Sequence, residues 1–191
     1  MKYIFWTTVF FWWTMDFYVL VLRKNSYAKM LDKKSKFVVI VLIFLGVLLA
    51  IAPESFRSTW RSREFGIFQS IGTVVVILGI VIRLIAILTL GQYFVADIAV
   101  NAEKRIVQKG LYRKIRHPSY TGEIIAFVGL AIVFQHIPSS IYISVLPTLA
   151  FVYRAVVEEK KLLEEFGEQF VEYKRRTRMF VLETGVKTRR K

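Results

Sequence analysis

The sequence predicts an all-α integral membrane protein, and three observations carry that prediction. Five apolar stretches, each near the length of a bilayer-crossing helix, alternate with polar segments. The chain is 55% hydrophobic and still bears a net charge of +14, a combination foreign to a soluble globule. Lys and Arg are shared unevenly: six in the first polar segment, three in the second, six in the third and eleven from Arg154 onward, against Lys2 alone before the first span. By the positive-inside rule, segments one and three and the C-terminus face the cytosol and the N-terminus lies outside. The basic charge is therefore read as flanking membrane spans, with no nucleic-acid partner. Residues 1–191 are read as a single membrane domain.

Span one covers residues 3–22; about twenty residues at ~1.5 Å each match a ~30 Å hydrocarbon core. It is too long and too aromatic for a signal peptide, and no small-residue cleavage site follows. Trp6, Trp12 and Trp13 are read as packing or interfacial residues, and Asp16 lies inside the span. Span two, residues 37–52, is short and stopped by Pro53. Span three, residues 67–90, contains Arg83, and an arginine at a helix centre costs roughly 2.5–3.5 kcal/mol on insertion scales. Asp16 and Arg83 lie at similar distances from same-side span ends, so an ion pair and separate snorkelling are both open. Spans four (118–134) and five (141–157) form a hairpin about a tight turn at 135–140. His136 is a turn residue there, and Pro147 is expected to kink span five. Beyond span five, Leu162, Phe166, Phe170 and Tyr173 recur every three or four residues. They form one face of an amphipathic helix on or near the membrane surface, with a break expected at Gly167. Residues 182–191 are polar and basic and are expected to be disordered.

The absence of cysteine excludes disulfides and thiolate chemistry, and two histidines far apart argue against a metal site. No G-x-G-x-x-G fingerprint is present, which disfavours a soluble Rossmann-type enzyme. The stretch richest in chemistry is 110–122, Gly-Leu-Tyr-Arg-Lys-Ile-Arg-His-Pro-Ser-Tyr-Thr-Gly. Pro118 suits the first position of a helix, and His117 before it is pushed out of the helical region. Free backbone N–H groups and the positive dipole end then face the loop, an anion site with Arg113, Arg116, His117 and Tyr120 around it. Arg154 and Glu158, four apart, share a helix face. At the least they are a surface ion pair. At the mouth of a membrane span, the guanidinium fork suits a carboxylate.

The run Arg116-His117-Pro118-Ser119-Tyr120-Thr121-Gly122 resembles the Arg-His-Pro-x-Tyr-x-Gly signature of the isoprenylcysteine carboxyl methyltransferases. A second block also resembles that family: Arg154, Glu158-Glu159, Leu162/Leu163, Phe166-Gly167 and Tyr173. Both blocks fall, correctly ordered, within residues 104–176, the expected cofactor and catalytic region. The pattern is broken where Phe170 replaces a tyrosine and where no proline follows Tyr173. The resemblance implies a membrane methyltransferase with its active site facing the cytosol. It would transfer a methyl group from S-adenosyl-L-methionine, leaving S-adenosyl-L-homocysteine, to the carboxylate of a prenylated cysteine or similar lipophilic acid. A carboxylate with a pKa near ~4 needs no base; orientation and dehydration are what such an enzyme must supply. The resemblance further implies that Lys109, Gly110, Leu111, Tyr112, His117 and Tyr120 hold the cofactor. Arg154 would orient the acceptor, with Glu158 as its catalytic companion and Glu159 on the cofactor, and the division between the two glutamates stays open. Competing readings are a phospholipid N-methyltransferase, a sterol-type reductase, and a non-catalytic basic protein that binds anionic lipid.

Overall fold

The structure, a computed structural model, describes residues 2–19, 29–32, 34–62, 65–91, 98–100 and 106–181. The expected tail at 182–191, the end of span one and the start of the 104–176 region lie outside the described residues. The elements run α1 (Lys2–Phe17), β1 (Lys29–Asp32), α2 (Lys34–Ile51), α3 (Glu54–Ser62), α4 (Ile67–Leu90), β2 (Ile98–Val100), a 3-10 turn (Gly110–Arg113), α5 (Pro118–Phe134), α6 (Ile137–Phe166) and α7 (Glu168–Arg176). Three helices, α2, α4 and α6, are long and apolar enough to cross a membrane by length and composition; α5 is a shorter apolar helix. Large apolar side chains are exposed along their outer faces, Phe44, Phe68, Leu78, Leu88 and Leu149 among them. A bundle whose outside is this apolar is solvated by lipid.

Neighbouring helices follow the order α1, α4, α5, α6, α2. The α4–α5 contact is the most extensive, and glycines meet across it. A Cβ on Gly79 would lie 2.5 Å from the Gly122 carbonyl oxygen, and one on Gly72 would lie 2.7 Å from that of Gly129. Without a hydrophobic driving force between helices in lipid, such small residues let backbones approach and gain van der Waals contact. Trp12 of α1 is buried and sets its ring edge-on to Phe127 of α5 at 4.9 Å, whereas Trp6 and Trp13 are exposed.

Polar contacts tie both ends of the bundle. At one end Ser139 donates to the Ala50 carbonyl (2.5 Å) and His136 Nε2 lies 3.1 Å from Ser55 Oγ. His136 is thus the N-cap of α6, the turn role expected for it. At the other end β1 pairs antiparallel with β2, Met30 opposite Ala99, and Ile115 forms a parallel bridge with Arg178. The first and third polar segments and the C-terminal segment therefore lie on one side.

The short β1–β2 ladder joins two polar segments of a helical bundle, and the all-α expectation holds. Other expectations need correction. Residues 54–62, read as loop, form α3, because Pro53 ends α2 and its carbonyl accepts from Phe56 and Arg57 N–H. Helix α6, by contrast, continues past the end of span five as expected, nine residues further to Phe166, with Pro147 inside it and packed opposite Gly46. The break at Gly167 is present, with φ at +51°, a conformation that glycine adopts without a Cβ penalty. The apolar face of α7 does not lie on the membrane surface: Phe170 and Tyr173 are buried within the protein.

Candidate active site

The signature loop is built by three local devices. Gly110 takes φ +54° and starts the 3-10 turn, packed against Thr89 at the end of α4. His117, at φ −122° and ψ 59°, is the N-cap of α5, and Pro118 opens the helix, as the sequence predicts. The third device comes from far along the chain. Residues past α7 run beside the loop: Arg116 N–H donates to the Arg178 carbonyl (2.8 Å), His117 N–H to that of Met179 (3.2 Å), and Arg178 N–H to that of Lys114 (3.0 Å). Tyr173 donates to the Tyr112 carbonyl at 2.7 Å. The loop is thereby held between the end of α4 and the C-terminal strap.

This brings the two sequence blocks together. The Tyr120 hydroxyl accepts from Arg154 Nε (3.1 Å) and donates to Glu158 Oε2 (2.8 Å). Arg154 also donates through Nη1 to Ser35 at the start of α2 (2.8 Å) and is buried. Arg154 and Glu158 are therefore joined through one phenol, a different arrangement from the surface ion pair that their spacing allows. His117 stacks on Tyr120, rings 5.4 Å apart and 5° from parallel. Its Nδ1 lies 3.7 Å from Glu158 Oε2. Its Nε2 is buried 3.4 Å from Glu159 Oε1, out of hydrogen-bond alignment, and has no hydrogen-bond partner among the described residues.

The two glutamates separate cleanly. Glu159 is buried between cations, Oε1 to Arg116 Nε at 2.6 Å and Oε2 to Lys174 Nζ at 2.8 Å. It lies two residues past the expected end of span five. Burial pushes its carboxyl up, but His117, Lys174 and Arg116 together outweigh that and hold it at about 2. The side chain of Glu158 is 27% exposed and opens toward solvent. Arg116, expected beside an anion, is committed instead to Glu159 and to the carbonyls of Lys174 and Thr177. Lys109 and Arg113 are exposed, Leu111 half-buried and Tyr112 buried, where loss of solvent raises its phenol well above the usual range.

Beneath the signature turn lies a second charged cluster. Arg83 is ion-paired with Asp16 (2.8 Å), which decides for pairing over separate snorkelling, and also with Glu123 (2.5 Å). Its Nη1 donates to Ser119 of the signature (3.0 Å). The sequence reading missed Glu123, although an ionisable residue inside an apolar span is itself a signal. It also missed Ser35, Lys174 and the strap, for which local sequence carries no signal. Among the described residues no group of three or more His, Cys, Asp or Glu could hold a metal ion.

Comparison with known proteins adds to this geometry. Residues 71–164 match the family described as Isoprenylcysteine carboxyl methyltransferase (ICMT) family. The chain is 36% identical over 110 residues to protein-S-isoprenylcysteine O-methyltransferase B of Arabidopsis thaliana, covering 56% of each. It is 34% identical over 114 residues to the protein-S-isoprenylcysteine O-methyltransferase of Tribolium castaneum, covering 58% of this chain and 40% of that protein. The Rattus norvegicus protein of the same name is 30% identical over 128 residues, 65% of this chain and 42% of that protein. The chain spans about half the length of the curated relatives it matches.

Proposed function

Because the chain belongs to the isoprenylcysteine carboxyl methyltransferase family, we propose that it methylates the carboxylate of an isoprenylated cysteine or a similar lipophilic acid, using S-adenosylmethionine. The observation that carries the proposal is the Arg154–Tyr120–Glu158 chain, in which one hydroxyl joins the signature turn to the second block. The proposed arrangement has five membrane crossings, an outer N-terminus and the site at the cytosolic boundary. In support, the strongly basic first and third segments share a side with the C-terminal segment.

The residues fit the cofactor. His117 Nε2 is a buried polar atom in need of a partner, and Glu158 is an accessible carboxylate beside it, suited to hydroxyl donors. The Gly110–Tyr112 turn, His117 and Glu158 would hold S-adenosylmethionine. Bound there, it would supply a sulfonium methyl group, which a carboxylate can accept without a base while the thioether of S-adenosylhomocysteine leaves. Arg154 aims the acceptor carboxylate, and Tyr120 and Ser35 lock its guanidinium plane. The half-buried site strips water from that carboxylate, a loss that a fixed positive charge offsets. Glu159 and Arg116 hold the loop to the strap and stay off the substrate.

Two measurements in nanodiscs test this reading. S-adenosylmethionine should bind saturably. Arg154→Ala should lose about a hundredfold in turnover on a farnesylated cysteine analogue while keeping cofactor affinity, and Arg154→Lys should recover part, since an ammonium keeps the charge but not the fork. Near wild-type turnover in Arg154→Ala would mean that Arg154 only braces Tyr120 and α2.

A further inference from the structure

The cluster under the signature turn has an unbalanced charge. Arg83 faces two carboxyl groups, from Asp16 on α1 and Glu123 on α5, inside an apolar bundle. Glu123 is 1% exposed and Arg83 7%, while a quarter of the Asp16 side chain is exposed. The hydrogen-bond geometry is just as unequal. Arg83 Nε carries a single hydrogen, directed at Asp16 Oδ1 (2.8 Å). Glu123 Oε1 lies 2.5 Å from the same Nε, which has no second hydrogen to give. Apart from that contact, Glu123 receives the indole N–H of Trp12 at 3.3 Å. Two ionised carboxylates on one guanidinium would leave a net negative charge inside an apolar bundle, where like charges at one site do not both ionise.

We infer that Glu123 carries a proton, forming with Asp16 a carboxyl pair that bears one negative charge against Arg83, and that this pair positions the first turn of α5. The negative charge sits on Asp16, which has both hydrogen-bonded guanidinium contacts and is the more exposed of the two carboxyls. The proton sits on Glu123, buried one turn below Ser119. Arg83, held by the pair, donates to Ser119 and so fixes the helix start that presents His117 and Tyr120. The groups at the cluster are Trp12 and Asp16 from α1 and Arg83 from α4; Arg83 in turn holds Ser119 of α5, whose neighbour Tyr120 is bonded to Arg154 of α6. Glu123 is on this account a positioning residue. It touches no substrate, and only the activity readout below rests on the proposed methyl transfer.

The rule of one negative charge can be tested in the full chain in nanodiscs by infrared spectroscopy and by binding. The wild type should show the carbonyl stretch of a protonated carboxylic acid, and Glu123→Gln should remove it. Asp16→Asn should remove it too, because Glu123 then ionises as the counter-ion of Arg83. Each single variant should keep cofactor affinity and turnover within about twofold, since one negative charge or its neutral isostere remains in place. The double variant, with Arg83 buried and uncompensated, should lose about a hundredfold or more. Glu123→Leu, unable to bond Asp16, should lose about tenfold or more, with Gln as the rescuing residue. A wild-type spectrum without the band, a band that survives Glu123→Gln, or single variants as damaged as the double would overturn the inference. Should the double variant fail to fold, the spectra of the two singles decide. The band needs no activity, so a protein that shows it but binds no S-adenosylmethionine refutes the methyltransferase reading and leaves the carboxyl pair standing.

Discussion

Replacing Gly122 with Ala tests how the α4–α5 contact supports the site. The new methyl would lie 2.6 Å from the Gly79 carbonyl oxygen, 2.7 Å from Arg83 N and 2.9 Å from Arg83 Cβ. Two of these are backbone atoms, so no side-chain rotation relieves the clash. Ordinary contact begins at 3.4 Å, so the helices must part by about 0.8 Å at their closest point. Overpacking of this kind costs about 1–3 kcal/mol, which for a chain of this size lowers the melting temperature by roughly 2–12 °C. The same shift would stretch the Arg83–Ser119 hydrogen bond, 3.0 Å in the structure, beyond useful length. Cofactor affinity should therefore fall along with stability. Thermal unfolding in detergent and direct binding measure the two effects, with Gly66→Ala as the matched control. At Gly66 the methyl meets only Gln69 Oε1 at 3.5 Å, an ordinary contact. If Gly122→Ala melts with the wild type while Gly66→Ala does too, the helices are not in backbone contact and the reasoning fails.

Tyr120→Phe keeps the ring on His117 but removes the hydroxyl that joins Arg154 to Glu158. Turnover should drop about tenfold or more, whereas Tyr120→Ala should also weaken cofactor binding; equal losses in both variants would discount the hydroxyl. Glu159 is held at about 2 against an ordinary 4.5, so its stabilisation is fully present above about pH 4.5 and is lost progressively as the pH falls toward about 2. Glu159→Gln should be less stable at neutral pH and should lack that acid-dependent decline; an unchanged acid unfolding curve would show that the clamp contributes nothing. Since the chain has no cysteine of its own, single cysteines at Ser58 and Lys160 report orientation directly. A membrane-impermeant reagent should reach them from opposite sides, and labelling from one side alone would refute the topology.

The sequence by itself determined where α2, α4, α5 and α6 lie and which polar segments share an end, but it missed α3. Apolar length marks those helices, Pro118 and Gly167 mark a start and a break, and the uneven Lys and Arg counts group the segments that share an end. It also placed Arg154, Glu158, His117 and Tyr120 in two blocks, because those residue types recur in a family pattern. Local periodicity reports that a face is apolar without reporting what covers it. Hence Phe170 and Tyr173 were legible as a face, but only the tertiary structure shows it buried within the protein. The decisive pairings join residues far apart in the chain: Arg154 with Ser35, Arg116 with Thr177, Arg83 with both Asp16 and Glu123. A buried charge takes whichever partner the fold brings within reach. That choice depends on how closely Gly79 and Gly122 let two helices approach, and it belongs to the packed bundle.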